Sequence, residues 1–311
     1  MRQTLFPVAC LALLPTIAGA EGLKIVTDIA PIGSLVDMVT NGLSKPEVLV
    51  SGASSPHGFA LKPSQAAALQ EADAVFWVSE QLTPWMEAPL EALASGAIAV
   101  ELADSAPVLR DFREEAEHDD HEGHAEEKAE EKHAHEEGHD HSGIDPHLWL
   151  DPQNATAWLS VIAENLSALD PQNAEVYAQN AQTAAAALTA LGAELKADLA
   201  PVSGRPFLVF HDAYQYFTEA YALTSVGSIS LGDAAPTSAA HLSEIQHHVE
   251  ETGATCAFSE PQFDPRLIAA VSTSLKVAEL DPLGTNQALG PDLYSATLRA
   301  MAATIKGCLT E

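Results

Sequence analysis

Four residues that can bind a transition metal stand out by type and position. His57, His147, His211 and Asp281 each lie at the end of a β-rich run or in the loop next to one. Three imidazoles and one carboxylate form a suitable tetrahedral set for Zn²⁺, with ligand distances of about 2.0–2.2 Å. The four are far apart in the sequence and form no compact metal motif, so their spacing alone does not identify a site.

Each of the four residues also has a purely structural explanation. His57 could be a turn residue, and His147 could cap the helix that follows it. His211 could be a buried histidine at a strand end, and Asp281 could be an N-cap or turn aspartate. From position alone, these explanations stay open beside the metal-binding one.

A second group of histidines lies in the acidic segment 113–142. It contains seven of the thirteen histidines in the chain: His118, His121, His124, His133, His135, His139 and His141. Imidazoles among carboxylates favour weak binding of several metal ions over a merely solvating acidic loop. The segment is almost free of large apolar residues, so we expect a disordered loop without fixed geometry and place the principal site elsewhere.

Three further histidines, His241, His247 and His248, lie in the predicted helix Ala239–Thr252. His241 and His248 are seven residues apart and therefore share a helix face. A solvated helix surface explains them better than a second metal site.

Strand-like and helix-like segments alternate in two groups, which predicts parallel sheets covered by helices. The predicted strands are Leu23–Ile29, Glu47–Gly52, Ala74–Ser79 and Ala97–Leu102, then Arg205–Asp212, Leu223–Ser230, Ala254–Glu260 and Leu275–Leu280. Helices are predicted at Pro63–Glu71, Ala239–Thr252 and Arg266–Ser274. Two similar α/β lobes follow, and ligand residues of such sheets lie in loops after the strands.

One long helix is predicted between the two groups of strands. Asp170 would cap it, Pro171 fits its first turn, and Pro201 would end it. A helix over 171–199 would be about 43 Å long and would act as a rigid strut. The predicted organisation is a signal peptide, an N-terminal lobe that includes the acidic loop, a linker helix and a C-terminal lobe, at 1–20, 21–170, 171–200 and 201–311.

Charge and export signals restrict the kind of protein. The 311 residues carry a formal net charge of −30, which opposes binding to nucleic acid. Arg2, the apolar run 5–17 and the small residues 18–20 predict a cleavable secretory signal, and no later segment is apolar enough to cross a bilayer. Cys256 and Cys308 remain after cleavage, and an oxidising compartment favours a disulfide between them over two buried thiols.

Five sequence segments together resemble the metal-binding proteins of zinc and manganese ABC importers, in particular the ZnuA-type zinc branch. They are Ser55-Pro56-His57 with Leu61-Lys62-Pro63-Ser64, Asp145-Pro146-His147-Leu148-Trp149, Phe210-His211-Asp212-Ala213-Tyr214, Glu260-Pro261-Gln262-Phe263 and Asp281-Pro282-Leu283-Gly284. The resemblance extends from about Leu23 to Cys308.

This resemblance implies two (β/α)₄-like lobes with parallel sheets, joined by a long rigid helix, with one metal ion in the cleft. It carries His57, His147, His211 and Asp281 over as ligands, with Glu260 supporting the site instead of binding the ion. The manganese branch typically has Glu where this chain has His211, and a nitrogen ligand favours Zn²⁺ over Mn²⁺. The His-rich loop and the cysteine pair also fit the zinc branch.

The expected function is capture of Zn²⁺ in the periplasm and delivery to a membrane ABC permease, with Zn²⁺ as cargo and no enzymatic activity. We expect a monomer that is not embedded in the membrane, with periplasmic zinc chaperones as further candidate partners. A manganese or iron carrier on the same scaffold is the main alternative. A zinc hydrolase with Glu260 as base is another, although there is no His-Glu-x-x-His helix. Adhesion to a host surface is a fourth possibility.

Overall fold

The computed structural model describes residues 22–112, 143–230, 238–263, 266–271 and 274–310. Two predicted features, the signal peptide 1–20 and the His-rich segment 113–142, lie outside these ranges.

Two four-stranded parallel sheets form the framework. The first has the order β2-β1-β3-β4, and its strands in chain order are β1 Ile25–Ile29, β2 Glu47–Val50, β3 Ala74–Trp77 and β4 Ile98–Glu101. The second has the equivalent order β6-β5-β7-β8, with β5 Pro206–His211, β6 Thr224–Ser230, β7 Cys256–Ser259 and β8 Lys276–Glu279. All eight predicted strands are confirmed, and so is the prediction of two similar α/β lobes.

Nine helices are found in the described ranges: α1 Ala30–Thr40, α2 Pro63–Glu71, α3 Glu87–Leu93, α4 Pro152–Leu169, α5 Ala174–Leu199, α6 Gln215–Ala220, α7 Ala239–Thr252, α8 Arg266–Val271 and α9 Leu293–Thr310. The predicted bounds of α2 and α7 are confirmed. Helix α8 ends at Val271, before the predicted Ser274. None of the helices described here combines the length and apolar character that a bilayer-crossing segment needs.

The predicted start of the long helix at Pro171 is wrong, because Asp170 ends one helix instead of beginning the next. Asp170 is the C-cap of α4, and its backbone N–H donates to the Leu166 carbonyl. Its carboxylate accepts hydrogen bonds from Asn173 Nδ2, at 2.6 Å, and Tyr177 Oη, at 3.0 Å, across the turn between the helices. Helix α5 therefore begins at Ala174, with 26 residues spanning about 39 Å.

The long helix is part of a packed layer and not a free-standing strut. It packs extensively on α4 and also contacts α1 and α9. One continuous apolar core includes Ile29 of β1, Leu188 of α5, Val209 of β5 and Leu298 of α9. Because this core contains residues of both sheets and of the helices between them, the two lobes are held as one packed body.

Buried hydrogen bonds add to the contact between the two lobes. Trp149 Nε1 donates to the Pro282 carbonyl oxygen at 2.9 Å, and Tyr294 Oη donates to the Trp149 carbonyl oxygen at 2.7 Å. Ser34 of α1 accepts from Tyr294 N at 3.1 Å. Opening the cleft widely would break these buried bonds and expose their polar groups.

The predicted disulfide between Cys256 and Cys308 is present. It joins β7 to the last turns of α9, and the two cysteines are 52 residues apart in the sequence. Closing a loop of that length stabilises the folded state by about 4 kcal/mol in the chain-entropy description.

We expect the variant Cys256→Ala/Cys308→Ala to lose about 4 kcal/mol of unfolding free energy in urea titrations. The single variant Cys308→Ala is the matched control and should lose nearly as much, because either change removes the covalent link. A loss below about 1 kcal/mol would show that the bond adds little to stability.

Asp28 is a fully buried carboxylate in the first lobe. Its Oδ2 accepts from Val78 N at 2.8 Å, and its Oδ1 accepts from Ile29 N at 2.7 Å. Burial raises the pKa of Asp28 to about 7, although these N–H groups lower it in part. Between the unfolded pKa near 3.8 and the folded value, the folded protein holds a proton that the unfolded chain has lost.

This raised pKa predicts that the contribution of Asp28 to stability is largest below pH 4 and is lost as the pH rises to about 7. Relative to Asp28→Asn, the unfolding free energy of the metal-free wild type should fall by about 4 kcal/mol over this range. Parallel urea titrations of both proteins at several pH values measure the difference. A constant difference would contradict the assignment.

Candidate metal centre

His57 lies in the loop after β2, and aromatic residues fix this loop. Trp85 Nε1 donates to the Pro56 carbonyl oxygen at 2.6 Å, and the Phe59 ring lies 5.2 Å from the Trp85 ring between centroids. The backbone N–H of His57 donates to Ser55 Oγ at 3.2 Å. The imidazole is half-buried at the cleft.

His147 follows the point where the chain returns from the segment 113–142. Asp145 N donates to the Arg110 carbonyl oxygen at 2.8 Å. Tyr216 Oη bridges the two strands of this junction by accepting from Arg110 N and donating to the Asp145 carbonyl oxygen, both at 3.0 Å. The Asp145 carboxylate in turn contacts His147 Nδ1 at 2.7 Å and accepts from its backbone N–H at 3.0 Å.

His211 is the last residue of β5, at the carboxyl end of the second sheet. Its Nδ1 lies 2.6 Å from Oε1 of Glu260, which directly follows β7. The ring of Phe263 stacks on Phe210 with centroids 4.5 Å apart, and it lies edge-to-face with His211 at 5.4 Å. Neighbouring strands of one sheet thus supply both the imidazole and its carboxylate.

The structure brings the three histidines together from both lobes. His147 Nε2 lies 3.4 Å from His57 Nε2 and 3.4 Å from His211 Nε2. One ring nitrogen from each residue lies within 4.8 Å of the others. Two nitrogens bound tetrahedrally to Zn²⁺ at about 2.05 Å are about 3.3 Å apart, so the observed spacing fits coordination of one ion.

The protonation of two imidazoles follows from their partners. Asp145 and Glu260 are both almost completely buried, and an ionised carboxylate only accepts hydrogen bonds. The Nδ1 atoms of His147 and His211 must therefore carry the protons, which leaves an Nε2 lone pair on each neutral ring. These lone pairs face each other at 3.4 Å, an arrangement that a shared cation stabilises. The two carboxylate charges match those of a divalent ion.

The cavity beside the histidines is small. It has a volume of about 20 Å³, enough for an ion and one water-sized ligand. Its walls are Pro56, His57, His147, Trp149, His211, Glu260, Gln262, Phe263, Pro282 and Leu283. An organic substrate does not fit in a space of this size.

Asp281 follows β8 but lies outside the histidine group. In the described ranges, the metal-ligand atoms that cluster within 4.8 Å belong to the three histidines. Asp281 Oδ2 accepts from Thr285 Oγ1 and Asn286 N, both at 2.9 Å. Its Oδ1 is buried and has no hydrogen-bond partner among the residues described, so this oxygen has the capacity to accept a further partner. Asp281 stays a predicted ligand.

Sequence reasoning missed three residues that position the ligands. Asp145 stands two residues before His147, and this Asp-x-His spacing was the signal for a carboxylate that orients the imidazole. Trp85 and Trp149 were expected to serve packing alone, yet their indole N–H groups hold the loops at Pro56 and Pro282. Those contacts join residues distant in sequence, and no local pattern indicated them.

The histidines of α7 lie away from this centre. His241 is half-buried, with Nε2 3.0 Å from the Ser228 carbonyl oxygen. His247 is exposed and pairs with Glu251 at 3.3 Å, and His248 is exposed. The predicted second site on this helix is absent from the metal-ligand groups of the described residues. The seven histidines of 113–142 lie outside the described ranges.

Comparison with known proteins gives a consistent family. The family model described as "Zinc-uptake complex component A periplasmic" matches residues 25–308. A high-affinity zinc uptake system protein, ZnuA, of Paracoccus denitrificans is 44% identical, covering 96% of this chain and 94% of that protein. The protein of the same name from Brucella suis is 38% identical, with 92% of each chain covered.

A solved structure agrees with these matches. The crystal structure of a ZnuA superposes with a TM-score of 0.75 at 27% identity, covering 93% of this chain and 99% of that one. With its two parallel-sheet lobes and clustered histidines, the chain belongs to the ZnuA family of periplasmic zinc-uptake components.

Proposed function

We propose that this protein binds one Zn²⁺ ion tightly in the periplasm and delivers it to a membrane ABC permease. The observation that carries the proposal is the convergence of three imidazole Nε2 atoms with 3.4 Å spacing. His57, His147 and His211 are the proposed ligands, and Asp281 Oδ1 or a water molecule is the proposed fourth. Glu260 and Asp145 would orient two of the imidazoles and balance the charge of the ion.

Zinc is favoured over manganese by the donor atoms. Three nitrogen ligands suit Zn²⁺, whereas Mn²⁺ prefers carboxylate, carbonyl and water oxygens in a larger shell. The small cavity also favours four-coordination over the six oxygens that Mn²⁺ accepts. A manganese or iron carrier is therefore the weaker proposal.

The hydrolase alternative has little physical support. A catalytic zinc keeps a position open for water and needs space for a substrate beside it. The cavity has room for one water-sized ligand, and Glu260, the candidate base, is already held by His211 Nδ1 at 2.6 Å. We therefore propose a binding protein without enzymatic activity.

Export, domain organisation and partners complete the proposal. We infer that residues 1–20 are a cleavable signal peptide and that the ligands come from lobes 21–170 and 201–311, with the linker helix between them. The names of the relatives, high-affinity zinc uptake system proteins, support a permease as the receiving partner. Because the lobes share one core, we expect release by local movement of the cleft loops and not by wide opening.

The histidines of segment 113–142 are proposed to gather zinc near the cleft. The segment begins and ends next to the backbone hydrogen bonds that join Phe112 N to the Gly143 carbonyl oxygen and Asp145 N to the Arg110 carbonyl oxygen. These contacts anchor both ends of the segment close to His147, which supports transfer of loosely held ions to the site.

Removing one imidazole should abolish tight zinc binding. Changing His57, His147 or His211 to Ala should each weaken binding by at least about 100-fold, because loss of a mere ligand-supporting partner already costs about 10–100-fold. Competition with a zinc chelator measures the dissociation constant. His248→Ala, on the exposed face of α7, is the matched control and should bind as wild type. Retention of tight binding in all three ligand variants would contradict the proposal.

Deletion of residues 114–142 should separate the two kinds of zinc binding. We expect fewer zinc ions per molecule, with one tight site kept, because the ligands of the cleft lie outside the deleted segment. Isothermal titration of wild type and deletion variant gives both numbers. Loss of the tight site together with the segment would contradict this division.

A further inference from the structure

Gln262 lies in a turn whose neighbours on both sides contact His211. Glu260 holds His211 Nδ1 at 2.6 Å, and the ring of Phe263 packs against the His211 ring with centroids 5.4 Å apart. A hydrogen bond of 3.1 Å from Phe263 N to the Glu260 carbonyl oxygen closes the turn. The backbone at Gln262 is therefore fixed relative to the proposed zinc ligand.

The amide of Gln262 is buried in an unusual way. Both Nε2 and Oε1 are shielded from solvent, and neither has a hydrogen-bond partner within the described part of the chain. A buried polar group left unpaired costs about 1–3 kcal/mol. An amide at this position is therefore expected to gain a partner when the protein binds its ligand.

The partner must lie in the cavity that Gln262 shares with the three imidazoles. Other polar groups on the wall are already engaged: Trp149 Nε1 donates to the Pro282 carbonyl oxygen, and Glu260 accepts from His211. The cavity volume of about 20 Å³ brings anything bound there close to all of its walls. Gln262 can thus contact whichever group completes the shell of the ion.

We propose that Gln262 Nε2 donates a hydrogen bond to the oxygen that completes the zinc shell, and so acts as a positioning residue. This inference rests on the proposed function. The oxygen is that of a bound water or Oδ1 of Asp281, which is also buried without a partner among the described residues. Either oxygen accepts, and a neutral amide adds no charge to the site. Fixing one oxygen in a tetrahedral position favours Zn²⁺ over ions that need more ligands.

The test removes the hydrogen-bonding groups while keeping the volume of the side chain. Gln262→Leu and Gln262→Met should bind Zn²⁺ about 10–100-fold more weakly in chelator competition. The visible absorption spectrum of the Co²⁺-loaded protein should change, because it reports the ligand field. The melting temperature of the metal-free protein should not fall, since an unpaired buried amide is being removed. Gln182→Leu, exposed on α5, is the matched control.

Asp281→Asn and the double variant with Gln262→Leu identify the oxygen. If Gln262 acts on Asp281, the double variant should lose no more affinity than the weaker-binding single variant. If it acts on a water, the two losses should multiply. Either pattern supports the role of Gln262.

Zinc affinity within about twofold of wild type in both Gln262 variants, with an unchanged Co²⁺ spectrum, would overturn the inference. His147→Ala distinguishes this result from failure of the proposed function. If His147→Ala loses the tight site while the Gln262 variants do not, only the role of Gln262 is wrong. If His147→Ala keeps it, the proposed function itself is wrong.

Discussion

Two imidazoles whose unprotonated nitrogens face each other at 3.4 Å repel unless a positive charge lies between them. In this protein the arrangement is imposed from behind, because Asp145 and Glu260 hold the Nδ1 protons of His147 and His211 on the side away from the cleft. The buried carboxylates thus fix both the orientation and the tautomer of the rings. A divalent cation at the point where the lone pairs meet satisfies the rings and balances the two carboxylates.

The rest of the fold holds these groups in place across two lobes. His57 and His147 come from the first lobe, while His211 and Glu260 come from neighbouring strands of the second. A site shared between lobes is only as well defined as the contact between them. Here a common apolar core and buried bonds such as Tyr294 to Trp149 fix that contact. The cost of this rigidity is that an ion must enter and leave through small movements of the loops around the cleft.

Much of the fold was predictable because its signals are local. Short apolar runs alternating with helical segments identified all eight strands, and the cysteine pair indicated the disulfide. The boundary at Asp170 failed because one residue can cap the end of a helix or the start of the next, and the choice depends on contacts with Asn173 and Tyr177. The single core of the two lobes could not be predicted either, since it depends on how distant elements pack.

The candidate site shows the same division. Residue types and strand ends pointed to the three histidines, but only the fold gives their spacing. The supporting roles of Asp145, Trp85 and Gln262 depend on contacts across the chain. For Asp281, the fold gives a buried free oxygen but no place in the histidine cluster of the described residues. The most direct test of the account is a crystal structure of the zinc-loaded full chain with anomalous data at the zinc edge. We predict one strong peak within about 2.0–2.2 Å of Nε2 of His57, His147 and His211. A fully occupied zinc ion bound elsewhere, with these three nitrogens empty, would contradict it.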